Sequence, residues 1–357
     1  MNVDPGKFVI PYAEFANKYL GDNHFFIPLG KRENTDDFSK KIRNVIPVEY
    51  PQTYNPVAIF KFIKVLMKEL KEADIIVWHS LFINRFLLAF LSNERDILAK
   101  SAWLVWGGDL YGWEKRGAFK GWLNRKYQTF VANLRSVILV FPPDEVYLRN
   151  SFNFRGKVFC ANYMDVKTSI VLDGLIEESE SHEGINIIIG NSATTSIDHK
   201  HSIDVISKLN NDDIKVYIPL SYGQKKYASE IEKYAINSLG EDKVKCIHEY
   251  LNSKEYYSLL SHMDAAFYDT DRQIALGNIY ALLYLNKSIF IKENSVMYNY
   301  FCSIGLTVQK TEISEGDNIE MLIRNTPCET NHKFAKKIYD LDVVNYEWNY
   351  IFDELTR

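Results

Sequence analysis

Short apolar runs alternate with longer segments of helical period along almost the whole chain, and that alternation limits the fold more than any other feature. In the first half "NHFFIPLG" (23 to 30), "ADIIVWHS" (73 to 80), "SAWLVWGG" (101 to 108), "SVILVFPP" (136 to 143) and "GKVFCANY" (156 to 163) have the length and content of strands. Between them "VAIFKFIKVLMKELKE" (57 to 72) sets Ile59, Ile63, Leu66 and Leu70 on one helical face. The second half repeats the scheme with "INIIIGNS", "IKVYIPLS", "VKCIHEYL", "AAFYDT" and "SIFIKEN", each followed by a helical pattern. Such a chain predicts an α/β fold of parallel sheets.

The 357 residues exceed what one core usually holds, so two domains are expected. The acidic stretch "VLDGLIEESESHEG" (171 to 184) reads as the linker, giving domains at 1–172 and 185–338. The chain opens on a loop-like stretch leading into a helix, where a doubly wound domain usually opens on a strand. That first strand is expected either to be short and irregular or to lie upstream of residue 1, the second being preferred.

A formal charge of −4 gives the whole chain no reason to bind nucleic acid. Cys160, Cys246, Cys302 and Cys328 form no CxxC pair, which reads as reduced, mostly buried thiols and gives no zinc spacing. No signal-like or membrane-spanning run is present, and a cytoplasmic protein is expected. Locally, Lys115, Arg116, Lys120, Arg125, Lys126 and Arg135 interleave with Trp113, Phe119, Trp122, Leu123, Tyr127 and Phe130. That mixture suits a helix lying on an anionic membrane, and equally a core helix with a solvated basic face.

In open parallel sheets, loops at the carboxyl ends of strands face the ligand crevice. "IIIGNSATTSIDHK" ends a strand at Gly190 and offers Asn191, Ser192 and a helix that Ser196 can cap, an arrangement that seats a phosphate or simply caps a helix. His199 is read as a hydrogen-bond donor beside that seat, or as a surface histidine. His199 and His201, two apart, make a poor metal pair, and no metal is expected. "YIPLSYG" adds Ser221 and Tyr222 at a second strand end. Arg272 and Gln273, ahead of a helix starting near Gly277, offer a cation, an amide and a helix N-terminus together, which suits a diphosphate. In the first half Asp109, flanked by glycines after a strand, reads as a general base facing a cleft or as a capping acid. His79 ends another strand and is its possible companion or a core histidine.

Taken in order, "WLVWGGDLY", "IIIGNSATTSIDH", "VYIPLSYG", "YLNSKEYYSLLSHMDAAFY", "RQIALGNIYALLYLNKSIFI" and "NYEWNYIFDEL" resemble one bacterial family. Its members add 4-acetamido-4,6-dideoxygalactose to a lipid-linked disaccharide in enterobacterial common antigen assembly. The resemblance spans Val77 to Leu355 and implies a GT-B fold: two Rossmann-like domains with parallel sheets facing a cleft. It also implies a C-terminal helix, 339–357, that can cross back to the first domain. Gly190, Asn191, Ser192, Ser196 and His199 match the family's GNS-to-His segment, and Arg272, Gln273 and Gly277 match its RQ-to-Gly helix start. Ile197 stands where relatives tend to carry Asn, and Ala275 where the "RQQGIG" form has glycine.

The expected activity is transfer of a deoxyamino sugar from a dTDP-sugar to a polyprenyl-diphosphate-linked saccharide, on the cytoplasmic side of the inner membrane, without a cofactor. Asp109, with His79, would take the acceptor proton. Glu249 and Tyr250 would meet the nucleoside. A sugar-nucleotide epimerase on the same scaffold and a non-catalytic nucleotide-sugar-binding scaffold protein remain as alternatives.

Overall fold

A computed structural model of the protein describes residues 5–29, 38–48, 50–51, 55–114, 120–163, 167–178, 182–209, 213–313, 318–325 and 329–357. It divides into two compact units, Met1–Asp165 with Leu341–Arg357, and Val166–Asp340. The division falls before residue 172, and the stretch read as a linker is helical over Thr168–Glu177, inside the second unit.

The first unit holds a parallel sheet of β1 (Ile76–His79), β2 (Ser101–Val105), β3 (Ser136–Leu139) and β4 (Lys157–Cys160), adjacent in that order. Strands β2 and β3 are buried at every position, as expected of strands covered on both faces. The chain enters through helix α1 (Pro5–Tyr19). "NHFFIPLG" does not form a strand: Phe26 makes a single bridge with Val45. An isolated bridge has too few ladder bonds to hold an extended run.

Helix α2 (Pro56–Glu72) starts where Asn55 Oδ1 accepts from Val57 N at 2.9 Å, with Pro56 in the first turn. Its buried line is Phe62, Leu66 and Leu70, so the inward face is rotated toward Phe62, with Ile59 and Ile63 at its margin. Helices α3 (Arg85–Leu91) and α4 (Lys120–Ala132) pack against each other. Trp103 lies edge-on to Tyr127 and Phe152, and these rings fill the core under the sheet.

The last helix of the chain, α9 (Leu341–Thr356), belongs to this unit and buries Val344, Trp348, Ile351 and Leu355. Trp348 Nε1 donates to Asn162 O at 3.1 Å, and Arg135 Nη1 to Leu355 O at 2.5 Å. The Glu347 carboxylate accepts from Asn162 N at 2.8 Å and from its side-chain amide at 3.1 Å, and Lys157 pairs with Glu354. Each bond joins the helix to the β4 edge or to the Arg135 turn.

The second unit holds β5 (Ile185–Ile189), β6 (Ile214–Pro219), β7 (Val244–Ile247), β8 (Ala265–Tyr268), β9 (Ser288–Ile291) and β10 (Gln309–Lys310). Their spatial order is β10-β9-β8-β5-β6-β7, all parallel. "INIII" is buried at all positions because β5 is central and covered on both faces. Helices α5 (His199–Ser207), α6 (Lys225–Leu239), α7 (Ser253–Ser261) and α8 (Leu276–Tyr284) follow β5, β6, β7 and β8. The order reverses between β5 and β8, so the connections from these two adjacent strands run on to opposite edges of the sheet. That is the switch point at which open α/β sheets leave a ligand crevice.

Cys160 and Cys302 are exposed and Cys246 is half-buried, a correction to the expectation of buried thiols; Cys328 lies outside the described residues. Among the described residues, no helix is long and apolar enough to cross a membrane.

Candidate functional site

At the switch point the β5 loop and the β8 loop meet through side chains. Arg272 Nη2 donates to Ser196 Oγ at 3.0 Å, across 76 positions of sequence. Ser196 Oγ also lies 3.0 Å from Thr194 Oγ1, and Thr270 Oγ1 accepts from Arg272 N at 3.4 Å. The β8 loop then feeds α8, whose start has no side-chain cap. The first amides of a helix have no partner within it and carry the positive end of its dipole. Ala275, the N-cap, sits at φ 56°, ψ 27°, in the left-handed region that costs an L-residue about 1–2 kcal/mol. This is the position where the resembled family carries glycine.

The β5 and β6 loops are joined by backbone. Ala193 N donates to Tyr222 O and Gln224 N to Ala193 O, each at 2.8 Å. Gly223 is required there: its φ is +116° and a Cβ would fall 2.3 Å from Ala193 O. Asn191 Nδ2 donates to Tyr222 Oη at 2.8 Å, and Ser192 is buried behind them. Gly190, Asn191, Ser192, Ser196, Ser221, Tyr222, Arg272 and Gln273 thus lie on three neighbouring strand-end loops, and Gly277 lies in the first turn of α8. Glu249 and Tyr250 do not join them by any bond; they are exposed beyond β7, the edge strand.

Two expectations in this unit are corrected. The N-cap of α5 is Asp198, whose carboxylate accepts from His201 N at 3.1 Å; Ser196 instead serves Arg272. An aspartate already occupies that helix end, whereas α8 starts without a side-chain cap. His199 is neither a surface histidine nor open to a ligand. It is fully buried, with Nδ1 at 3.2 Å from both Ile197 O and Tyr227 Oη, and Nε2 unpartnered among the described residues. Burial pushes its pKa down to about 4, so the ring is neutral near pH 7. A Cβ on Gly190 would come within 2.9 Å of that Nε2, so the glycine makes room for the ring.

An open pocket of about 360 Å³ lies between the β5 and β8 loops, walled by Thr195, Asp198, Lys200, Asp269, Asp271 and Lys292 among others. Thr195 and Asp198 belong to the turn and helix start already read from the sequence, whereas Lys200, Asp269, Asp271 and Lys292 were not singled out. The available signal was an acid immediately after a buried strand, as in "FYDTD", which parallels the one that drew attention to Asp109. Among the described residues no three His, Cys, Asp or Glu side chains come together as a metal site.

In the first unit the candidate base is a brace. Asp109 is 3% exposed and its carboxylate accepts from four N–H groups. Oδ2 takes Leu81 N and Trp103 Nε1, each at 2.9 Å; Oδ1 takes Trp106 N at 3.0 Å and Leu110 N at 3.1 Å. Burial raises its pKa against the pull of those donors. The acceptor sites are filled from inside the fold, so the expected cleft-facing base is corrected to a group that ties β1, β2 and the following turn together. His79 packs against Tyr12 and Tyr163, with Nδ1 3.2 Å from Tyr163 Oη. Burial lowers its pKa to about 3, too weak a base for an acceptor hydroxyl.

Residues 57–320 match the family model described as 4-alpha-L-fucosyltransferase glycosyl transferase group 56. The chain belongs to that family. It is therefore a glycosyltransferase. Among solved structures it is similar to HepE of Anabaena in complex with UDP and glucose, at TM-score 0.70 and 11% identity, covering 98% of this chain and 96% of that one. A glycosyltransferase from Rickettsia africae matches at TM-score 0.66 and 13% identity, covering 98% and 94%. Sucrose-phosphate synthase from Thermosynechococcus elongatus matches at 0.62 and 10%, covering 87% and 83%. At these identities the likeness is one of fold, and that fold is GT-B, with two Rossmann-like domains.

Proposed function

We propose that the chain transfers a deoxyamino sugar of the 4-acetamido-4,6-dideoxygalactose type from a dTDP-sugar to a polyprenyl-diphosphate-linked saccharide. The observation that carries the donor part is the Arg272–Ser196 bond, which places a guanidinium and an uncapped helix start at one switch point. As the glycosidic bond to the diphosphate breaks, negative charge grows on the leaving phosphate oxygen. A fixed cation and backbone N–H groups aimed at that oxygen stabilise it most in the transition state. Gln273 and Gly277 flank this seat, and the Asn191–Tyr222 pair borders it from the β6 side. HepE, whose structures hold UDP and UDP-glucose, lends support to a nucleotide-sugar donor, and the family's fucosyltransferase name to a 6-deoxy sugar.

The acceptor part rests on the first unit. Phe86 on α3 is 68% exposed and Trp122 on α4 is 45% exposed, with Lys120 and Arg125 exposed beside Trp122. Trp113, Tyr127 and Phe130, by contrast, pack inward, while Lys115, Arg116 and Phe119 lie outside the described residues. The reduced set of outward rings and cations still suits the anionic cytoplasmic face of a membrane, where a polyprenyl carrier would be met.

The test is a thermal-shift series with thymidine, uridine and guanosine diphosphates, since a ligand at a hundred times its Kd stabilises by about 2.7 kcal/mol. Thymidine diphosphate should raise the melting temperature most, and Arg272→Ala should cancel the rise. No shift with any of the three sinks the donor reading.

A further inference from the structure

The loop that carries Arg272 is itself held by an ion cluster. His201, in the first turn of α5, has a carboxylate on each ring nitrogen: Nδ1 lies 2.5 Å from Asp269 Oδ2, and Nε2 lies 2.8 Å from Glu312 Oε1. Asp269 directly follows β8 and its side chain is only 4% exposed. Thr311 Oγ1 donates to the same Oδ2 at 3.0 Å, and Asp269 O accepts from Asp198 N at 2.8 Å. One residue thus joins the α5 start, the end of β10 and the 269–275 loop leading into α8.

A neutral imidazole has one N–H and could serve only one of those carboxylates, leaving a lone pair facing the other at hydrogen-bond distance. The geometry is satisfied only by the imidazolium. We propose that protonated His201 is a positioning residue for glycosyl transfer: it fixes Asp269, and through it the loop that sets Arg272 against Ser196. The donor's diphosphate is therefore gripped less firmly once that proton leaves. This rests on the donor reading above, and it adds a residue that never touches the substrate.

The neighbouring groups carry both signs, and the cations are paired with other acids. Asp198 caps the same helix. Asp271 is paired with Lys292 of the β9 end at 2.8 Å, and Lys200 is held by Glu230 of α6 at 2.5 Å. Loss of the proton removes the only cation hydrogen-bonded to Asp269 and Glu312 among the described residues, and leaves Lys292, already paired with Asp271, as the nearby positive charge for Asp198 and Asp269. Burial draws the imidazole pKa down, but the Asp269 hydrogen bond and charge, then Glu312 and Asp198, carry it above the usual value. A raised pKa means the clamp is complete below about 6.5 and is lost as pH rises through the higher folded-state value.

The experiment is hydrogen exchange of the 264–275 segment at pH 6 and pH 9, corrected for intrinsic rates, in the wild type, His201→Gln, His201→Arg and Glu312→Gln. Protection should fall severalfold with rising pH in the wild type, stay low in His201→Gln, and persist at both values in His201→Arg. Glu312→Gln, on an exposed side chain, should keep the fold and move the transition to lower pH. Protection indifferent to pH and to His201→Gln overturns the proposal. Measured alongside, thymidine diphosphate affinity should drop severalfold between the two pH values in the wild type. It should stay flat in the two His201 variants. If no nucleoside diphosphate binds at either pH, the donor reading fails, while the exchange data still decide whether His201 orders the loop.

Discussion

The two sheets are built from the same alternation of strand and helix, yet they differ in the polar groups at their strand ends. In the first, β1 to β4 are neighbours in chain order, and the acid after β2 is consumed by the fold: Asp109 takes four internal N–H groups. In the second, the order reverses between β5 and β8, and the loops leaving these strands keep hydroxyls, a guanidinium and an uncapped helix start at their junction. The difference lies in the guanidinium, hydroxyls and helix start at the reversal, for the acid and histidine there, Asp269 and His199, are buried and serve the framework as Asp109 does in the first sheet.

Asp109→Asn should produce the largest effect and should be one of stability. The amide cannot accept from donors on both sides, and orphaning buried N–H groups costs about 3 kcal/mol. Denaturant unfolding should record that loss while thymidine diphosphate affinity changes little. A variant of wild-type stability with normal nucleotide binding and no turnover would instead restore Asp109 as a base and break the contrast. Arg272→Ala should do the reverse: roughly a hundredfold loss of nucleotide affinity, the weight of a charge-assisted contact, with little change in unfolding.

Acid should weaken both units through His79 and His199, whose pKa values fall to about 3 and about 4. Both rings stay neutral when folded but take up a proton when unfolded below about 6.5. Stability should therefore decline as pH drops through that window, at up to about 1.4 kcal/mol per pH unit for each ring. Replacing either histidine with a volume-matched apolar residue should flatten its share of the slope in a pH series of unfolding curves. The smallest effect is a gain: Ala275→Gly should stabilise by about 0.5–1 kcal/mol, because the left-handed N-cap of α8 is strained in alanine but not in glycine.

Much of the fold was legible because buried parallel strands leave uninterrupted apolar runs, and nine of the ten quoted runs became strands. "NHFFIPLG" misled because apolar composition does not supply a ladder partner, and partners are set by topology. The site was legible in part. Gly190, Ser196 and Arg272 were found from small residues and helix starts, but their convergence depends on β8 lying beside β5, which no local pattern states. His199 was read as a phosphate contact because a histidine near a helix start looks the same whether it points outward or beneath a glycine. The His201 cluster was missed because its partners come from residues 68 and 111 positions away, Asp269 and Glu312, beyond any sequence spacing.

The most direct measurement is a crystal structure with thymidine diphosphate bound. The β-phosphate should rest on the first amides of α8, with Arg272 turned to it from Ser196. A diphosphate seated away from the β5 and β8 loops, or on the strand ends of the first unit, would contradict the claim that topological reversal decides where this chain binds its donor.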